Sequence, residues 1–90
     1  MKNLYHYPIR VNLENTGIPS SFIWNGRYYR IQKIEKSWEL TYKALGEKGY
    51  KYYFRVKAED QNYYYDIAYD SLLNEWFLER VDSKSFLLVP

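Results

Sequence analysis

Three groups of side chains in this chain have types that could carry chemistry. His6 is the only histidine, so a serine-type triad or a multi-histidine metal centre would have to use it. It falls on the polar side of an N-terminal strand, and fold position alone gives no catalytic warrant; it reads as a surface histidine. Asp66 and Glu79 form the second group, at positions that neighbouring strands can bring side by side. Paired carboxylates serve as acid and base in glycoside hydrolysis. Here Arg55 flanks Asp66, and a carboxylate beside a guanidinium stays ionised, so a surface ion network accounts for the group better. A Ca²⁺ or Mg²⁺ site would want a denser set of oxygen ligands. The chain has no cysteine, which removes thiol nucleophiles, thiolate ligands and disulfides together. Leu45-Gly46-Glu47-Lys48-Gly49 lacks the Gly-Lys-Ser/Thr ending of a phosphate loop, and Asp60-Gln61-Asn62 reads as turn chemistry. The residues therefore predict no metal, no cofactor and no enzymatic activity.

The third group is basic and aromatic. Alternation puts Tyr28, Arg30, Gln32 and Lys36 outward on one strand and Lys51, Tyr53, Arg55 and Lys57 outward on the next. Asp66, Asp70, Glu75 and Glu79 point outward on the two strands that follow, so charge is polarised across the sheet. Rings that stack on bases, beside cations that meet phosphates, suit single-stranded nucleic acid. The competing interpretation is a solvated sheet face, since Arg55 and Lys51 have carboxylates opposite them. Trp24 beside Arg27 predicts a cation–π pair bracketing a hairpin tip, which doubles as a small candidate recognition site.

The elements that would position these groups are strands. Period-two alternation dominates the sequence. Tyr5, Tyr7, Ile9, Val11 and Leu13 share one side of a first strand, 5–13, with His6, Pro8, Arg10 and Asn12 on the other. Pro8 has no N–H and requires an unpaired flank. Asn25-Gly26 supplies the two positive-φ residues of a type I′ turn, which places Trp24 opposite Arg27, Ile23 opposite Tyr28 and Phe22 opposite Tyr29. A second hairpin around Asp60-Gln61 sets Val56 against Tyr65, Phe54 against Ile67 and Tyr52 against Tyr69, with Arg55–Asp66 and Lys51–Asp70 on the other face. A slip of one residue would destroy both patterns. A turn at 71–74 leads to a strand at 75–81, with Tyr69 opposite Trp76, Ile67 opposite Leu78, Tyr65 opposite Arg80, and Phe77 left pointing outward. Residues 86–89 fit a closing strand. Trp38, Leu40 and Tyr42 alternate like a strand, while Leu40, Ala44 and Leu45 fit a helical turn ending at Gly46; both remain open.

The run Pro19-x-x-Phe22-x-Trp24-x-Gly26-Arg27-x-Tyr29-x-Ile31, then Ile34, Trp38, Tyr53-x-Arg55-Val56, Tyr65-Asp66-Ile67, Asp70 and Trp76-x-Leu78-x-Arg80-x-Asp82, resembles an uncharacterised family of small bacterial domains. Its members occur alone or at the C-terminal end of proteins similar to Y-family DNA polymerases. The resemblance covers about residues 8–82. It implies a bacterial cytoplasmic protein linked to DNA repair. It brings no catalytic residues, and a chain of 90 residues cannot hold a polymerase palm. The 39–50 segment lacks the tryptophan-rich stretch of some members.

Size sets the remaining bounds. Ninety residues make one domain, 1–90, with a small core. Tyr contributes 12 residues, Phe four and Trp three, so aromatic bulk must fill that core. Net charge is only +2, too little to demand a nucleic-acid or membrane partner by itself. No run approaches the length of a spanning helix, and the N-terminus lacks the apolar stretch of a secretory signal. The expectation is an all-β antiparallel meander of six or seven strands, curled towards a partial small barrel, with at most one short helix around 38–46. Its expected role is a cytoplasmic, non-enzymatic binding module for single-stranded nucleic acid or a repair protein. The alternative is a protein-interaction or homodimerising domain using Tyr28, Tyr64 and Phe77.

Overall fold

The computed structural model describes residues 2–59 and 63–83. These form six antiparallel strands: β1 (Lys2–Leu13), β2 (Pro19–Trp24), β3 (Arg27–Ala44), β4 (Glu47–Ala58), β5 (Tyr63–Asp70) and β6 (Glu75–Ser83). Each strand pairs with its successor, and β1 also pairs with β6, so the sheet closes into a ring. The meander is all-β as expected, with no helix among the described residues. The 38–46 segment is the end of β3 and its turn, because the strand alternation of Trp38, Leu40 and Tyr42 wins over the helical spacing. The proposed closing strand at 86–89 and the Asp60–Asn62 turn lie outside the described residues. No helix among the described residues is long and apolar enough to cross a membrane.

Register follows side-chain pairing. The β2–β3 hairpin has Trp24 opposite Arg27, Ile23 opposite Tyr28 and Phe22 opposite Tyr29. Asn25 and Gly26 take φ of 56° and 75°, the geometry a type I′ turn requires. The β4–β5 hairpin sets Phe54 against Ile67, Arg55 against Asp66 and Lys51 against Asp70. Both registers agree with the sequence. At β5–β6 the agreement stops halfway: Tyr69–Trp76 and Ile67–Leu78 hold, but Tyr65 faces Val81 rather than Arg80. Glu79 is an extra residue there, forming a bulge between the Leu78 and Arg80 rungs. The β1–β6 ladder also shifts at this point, between Leu4–Arg80 and Tyr7–Leu78. Pro8 lies short of the Arg10–Ile23 rung, the first that joins β1 to β2, which provides the unpaired flank it needs.

Inside the ring, Phe22, Val56, Tyr65, Ile67 and Leu78 are buried with Ile9, Tyr29 and Val81. Phe22 stacks on Tyr29 at 4.9 Å and meets Tyr65 edge-on at 5.4 Å. Trp24 belongs to this cluster, with Tyr5 at 5.6 Å and Tyr65 at 6.5 Å. Arg27 lies 5.3 Å over Tyr29, not Trp24, so the cation–π pair expected at the tip is made one ring further in. Phe77 points outward as expected but is only 5% exposed. His6 stacks on it at 4.1 Å, and buried Ala68 pairs with it. Outward is therefore not solvated in this part of the sheet.

β3 and β4 outrun their other neighbours. The β4–β5 ladder ends at Lys51–Asp70, whereas β3–β4 continues through Thr41–Tyr50, Tyr42–Gly49 and Lys43–Lys48 to Ala44–Glu47. Two register shifts interrupt β3 earlier, around Gln32 and Glu35, and beyond them it pairs only with β4. The result is a two-stranded arm of four rungs, about 13 Å long at a strand's rise per residue. Its turn is Leu45-Gly46, with φ of 53° and 82°. This matches the geometry of Asn25-Gly26, yet a leucine sits where the chain elsewhere uses asparagine. Gly49 lets the arm's base pack on the β5–β6 turn, since a Cβ there would lie 2.6 Å from Leu72 Cγ.

Two stability changes follow. Gly49→Ala should destabilise the fold by about 1–3 kcal/mol through overpacking against Leu72. Leu45→Asn should stabilise it by about 1 kcal/mol by relieving a left-handed leucine. Urea denaturation at neutral pH measures both.

Candidate functional site

Two surfaces gather chemistry-bearing side chains. The first is the outer face of β3 and β4, where sequence placed the basic site, together with the acidic outer positions of β5 and β6 beside it. Arg55 forks onto Asp66, with Nε–Oδ1 at 2.8 Å and Nη2–Oδ2 at 3.0 Å. At the bulge the Glu79 carboxylate meets two side chains: His6 Nδ1 donates to Oε2 at 2.7 Å, and the Lys51 cation lies 3.3 Å from Oε1. Arg80 Nε donates to Asp82 Oδ2 at 2.6 Å. Tyr53 stacks flat on Trp38 at 5.0 Å, and Lys36 and Arg55 lie 5.0 and 5.9 Å from the Trp38 ring. The Lys51 and Arg55 side chains are only 21% and 17% exposed. These two cations and Tyr53 are thus spent on internal partners. The carboxylates Asp66 and Glu79 are held by different cations and form no acid–base pair.

The base of the arm closes over the same face. Tyr42 donates to Asp70 Oδ1 at 2.5 Å, and the N–H groups of Leu72 and Leu73 donate to the same oxygen at 3.1 and 3.2 Å. The Tyr42 phenol is pushed up to about 12, first by this bond to Asp70 and then by burial. Burial alone would raise Asp70. The Tyr42 hydroxyl, the two amide N–H groups and the Lys51 charge outweigh it and hold the carboxyl below its ordinary range. Burial raises the Tyr53 phenol, and the bond to Asp66 raises Arg55. A hollow of about 420 Å³ borders His6, Leu40, Tyr42, Lys51 and Asp70. Tyr42 and Asp70 bond each other across it while His6 and Lys51 bond Glu79, which suits holding the arm against the ring. Among the described residues no group of His, Cys, Asp or Glu could hold a metal ion.

The other predicted residues are scattered. Tyr28 and Arg27 are exposed at the β2–β3 tip. Arg30 Nε lies 3.5 Å from Glu59, and Lys33, opposite Lys57, pairs with Glu35 at 3.3 Å. Like charges face each other at Lys33–Lys57 and Lys36–Arg55, but β3's register shifts separate these rungs from a continuous row.

The second surface was missed in the sequence. Beyond the last β5 rung, the ring-side face of β4 continues onto the arm as Phe54, Tyr52, Tyr50 and Lys48, alternate residues of one strand. Lys43 stands directly opposite Lys48 and so shares that face. At the root, Phe54, Tyr52, Tyr69, Trp76, Asn74 and Leu13 border a cleft of about 460 Å³. Trp76 is 6.0 Å from Phe54 and 5.5 Å from Tyr69, and Tyr69 donates to Asn74 Oδ1. Tyr50 meets Tyr52 edge-on at 4.8 Å, and both are exposed. The Tyr52 phenol is raised by the negative charge of Glu39 and a hydrogen bond to it. A row of rings leads from the mouth of the ring to a pair of lysines at the arm's end. The pairs Tyr52–Tyr69 and Phe54–Ile67 were legible, but as covered core. The available clue was the uninterrupted alternation from Trp38 to Tyr42, which requires β4 to outrun β5.

These features define a small closed antiparallel β domain with an aromatic cleft and a projecting β arm. The chain belongs to the family DUF6504, a domain of unknown function, whose model matches residues 6–83. No curated protein and no solved structure matches it.

Asp70 ties arm, turn and ring together, so its protonation should loosen all three. Its depressed pKa means this stabilisation is complete above the ordinary carboxyl range near 3.9 and is lost as pH falls through the lower folded-state value. Asp70→Asn should lower stability at pH 7 by about 1–3 kcal/mol and flatten the acid limb. Urea midpoints measured from pH 7 down to pH 2 in both proteins check this.

Proposed function

We propose that this domain is a non-enzymatic binding module for single-stranded nucleic acid, with bases stacking along Trp76, Tyr69, Phe54, Tyr52 and Tyr50 and the backbone meeting Lys43 and Lys48. One observation carries the reading: a row of half-covered rings ending in two cations on the same strand face. Aromatic platforms bind single strands because every base offers a π face, while cations track the phosphates. The outer face is less suited, since Lys51 and Arg55 already neutralise Glu79 and Asp66. The non-catalytic part rests on the same bonds: Asp66 and Glu79 are held by Arg55 and Lys51, and His6 is hydrogen-bonded to Glu79. The resemblance to domains that accompany Y-family polymerases supports a cytoplasmic setting in DNA repair, where single strands are exposed.

A protein partner is the second reading, favoured by Leu13, an exposed apolar residue on the cleft's border. A homodimer through Tyr28, Tyr64 and Phe77 loses Phe77, which lies beneath His6.

A labelled single-stranded oligonucleotide titrated at low salt should bind, with amide shifts on β4 and the arm. Tyr52→Ala should weaken binding by about 1–3 kcal/mol. Lys48→Ala should reduce the slope of log K against log salt by about 0.7. Absence of binding at low salt, or shifts confined to the outer face, would refute the assignment. A mass that rises with concentration, without oligonucleotide binding, would establish self-association instead.

A further inference from the structure

The end of the arm collects three unfavourable features within a few residues. Leu45 is fully exposed, more than any other large apolar side chain among the described residues. It holds φ at 53°, a conformation that side chains other than Asn, Asp and Gly adopt at a cost. The second rung behind it sets Lys43 against Lys48, like charges directly opposed, which destabilises a ladder. The chain contains its own control. At the β2–β3 tip the same turn, with φ of 56° and 75°, is made by Asn25-Gly26. Backbone geometry therefore does not call for leucine at the arm's tip. Strain at such a position is an indication of use when something else requires the side chain.

From this tip we infer that Leu45 is a wedge that enters a base step where single-stranded nucleic acid meets duplex, with Lys43 and Lys48 holding the adjoining phosphates. The inference rests on the nucleic-acid reading above and adds the place and the mode of contact. A strand laid along the row of rings runs outward from the cleft and leaves the protein at the arm's end, so the first paired base would arrive at Leu45. Apolar side chains flanked by cations are how proteins part stacked bases. Glu47 does not oppose this, because it alternates onto the opposite face from Lys48. A lipid surface is the less favoured occupant. A lone leucine offers little apolar area for stable anchoring, and the aromatic row behind it would find no role. A protein pocket for Leu45 would give the paired lysines none.

The test uses the full chain and a hairpin oligonucleotide carrying 2-aminopurine at the first base pair beside a single-stranded tail. The wild-type protein should raise 2-aminopurine fluorescence by unstacking that base. Leu45→Asn, which the turn accommodates, should abolish the rise while leaving affinity for a plain single strand unchanged, and Leu45→Met should retain it. A rise undiminished in Leu45→Asn would overturn the wedge but leave single-strand binding standing. If the plain strand does not bind at all, the underlying reading fails and the wedge with it. Binding to phosphatidylserine-containing vesicles that Leu45→Asn removes, with the fluorescence rise unaltered, would make the tip a lipid contact and overturn the proposal.

Discussion

A sheet of six strands has two unpaired edges unless its first strand meets its last. Here β1 does so, pairing with β6 through Tyr7, Pro8 and Ile9 and with β2 from Arg10 onward. Closure removes edges that would otherwise pair with another chain. It also encloses a space small enough for a few rings to fill. The chain has no disulfide to lean on, so Phe22, Tyr29, Tyr65 and Trp24 do this with stacked and edge-on contacts. Because β1 is shared between two neighbours, its register and that of β6 must be reconciled, and the shift at Glu79 is where this happens. The bulge lies where both ladders of β6 shift, and Glu79 there meets His6 and Lys51.

What the sequence reveals, and what it conceals, follows from which partners a residue pattern can specify. The β4–β5 register is legible because both faces are constrained at once: Phe54–Ile67 and Val56–Tyr65 on one side, Arg55–Asp66 and Lys51–Asp70 on the other. The β2–β3 register is legible because Asn25-Gly26 fixes it locally. Glu79 is not legible as a bulge, since its extra position exists only relative to two other strands. The arm is hidden for a different reason. Its turn uses Leu45, which carries no turn signal, so local chemistry points away from the hairpin that alternation supports.

The same limit applies to the candidate site. Alternation correctly sorts Lys51, Tyr53, Arg55 and Phe77 onto the outer face, but it cannot say whether that face meets water. It does not, over much of its area, because β3 brings Trp38 and, on the arm, Tyr42 against it and β1 brings His6. Burial changes the meaning of each charge there. An exposed arginine is a phosphate ligand in waiting; Arg55, forked onto Asp66 and shielded by Trp38, would leave a buried carboxylate unpaired if it turned outward, a change that typically costs several kcal/mol. Lys51 and Arg55, two of the cations that look like a binding site in sequence, are thus already engaged with carboxylates.

The ring-side face inverts this relation. Its rings look like core in sequence because each has an apolar partner across the ladder, as Tyr52 has Tyr69. The ring nevertheless narrows to a small interior, and β5 stops at Asp70, so Tyr50 and Tyr52 run out of neighbours while the pattern that placed them continues. One extended hairpin therefore has two effects. Its outer side covers polar groups that would otherwise be solvated, with Tyr42 on Asp70 as the fastening. Its inner side carries rings past the point where the fold can bury them. An arm detached from Asp70 would lose the direction in which those rings point, so the hydrogen bonds that hold it are positioning elements for the cleft as much as contributors to stability.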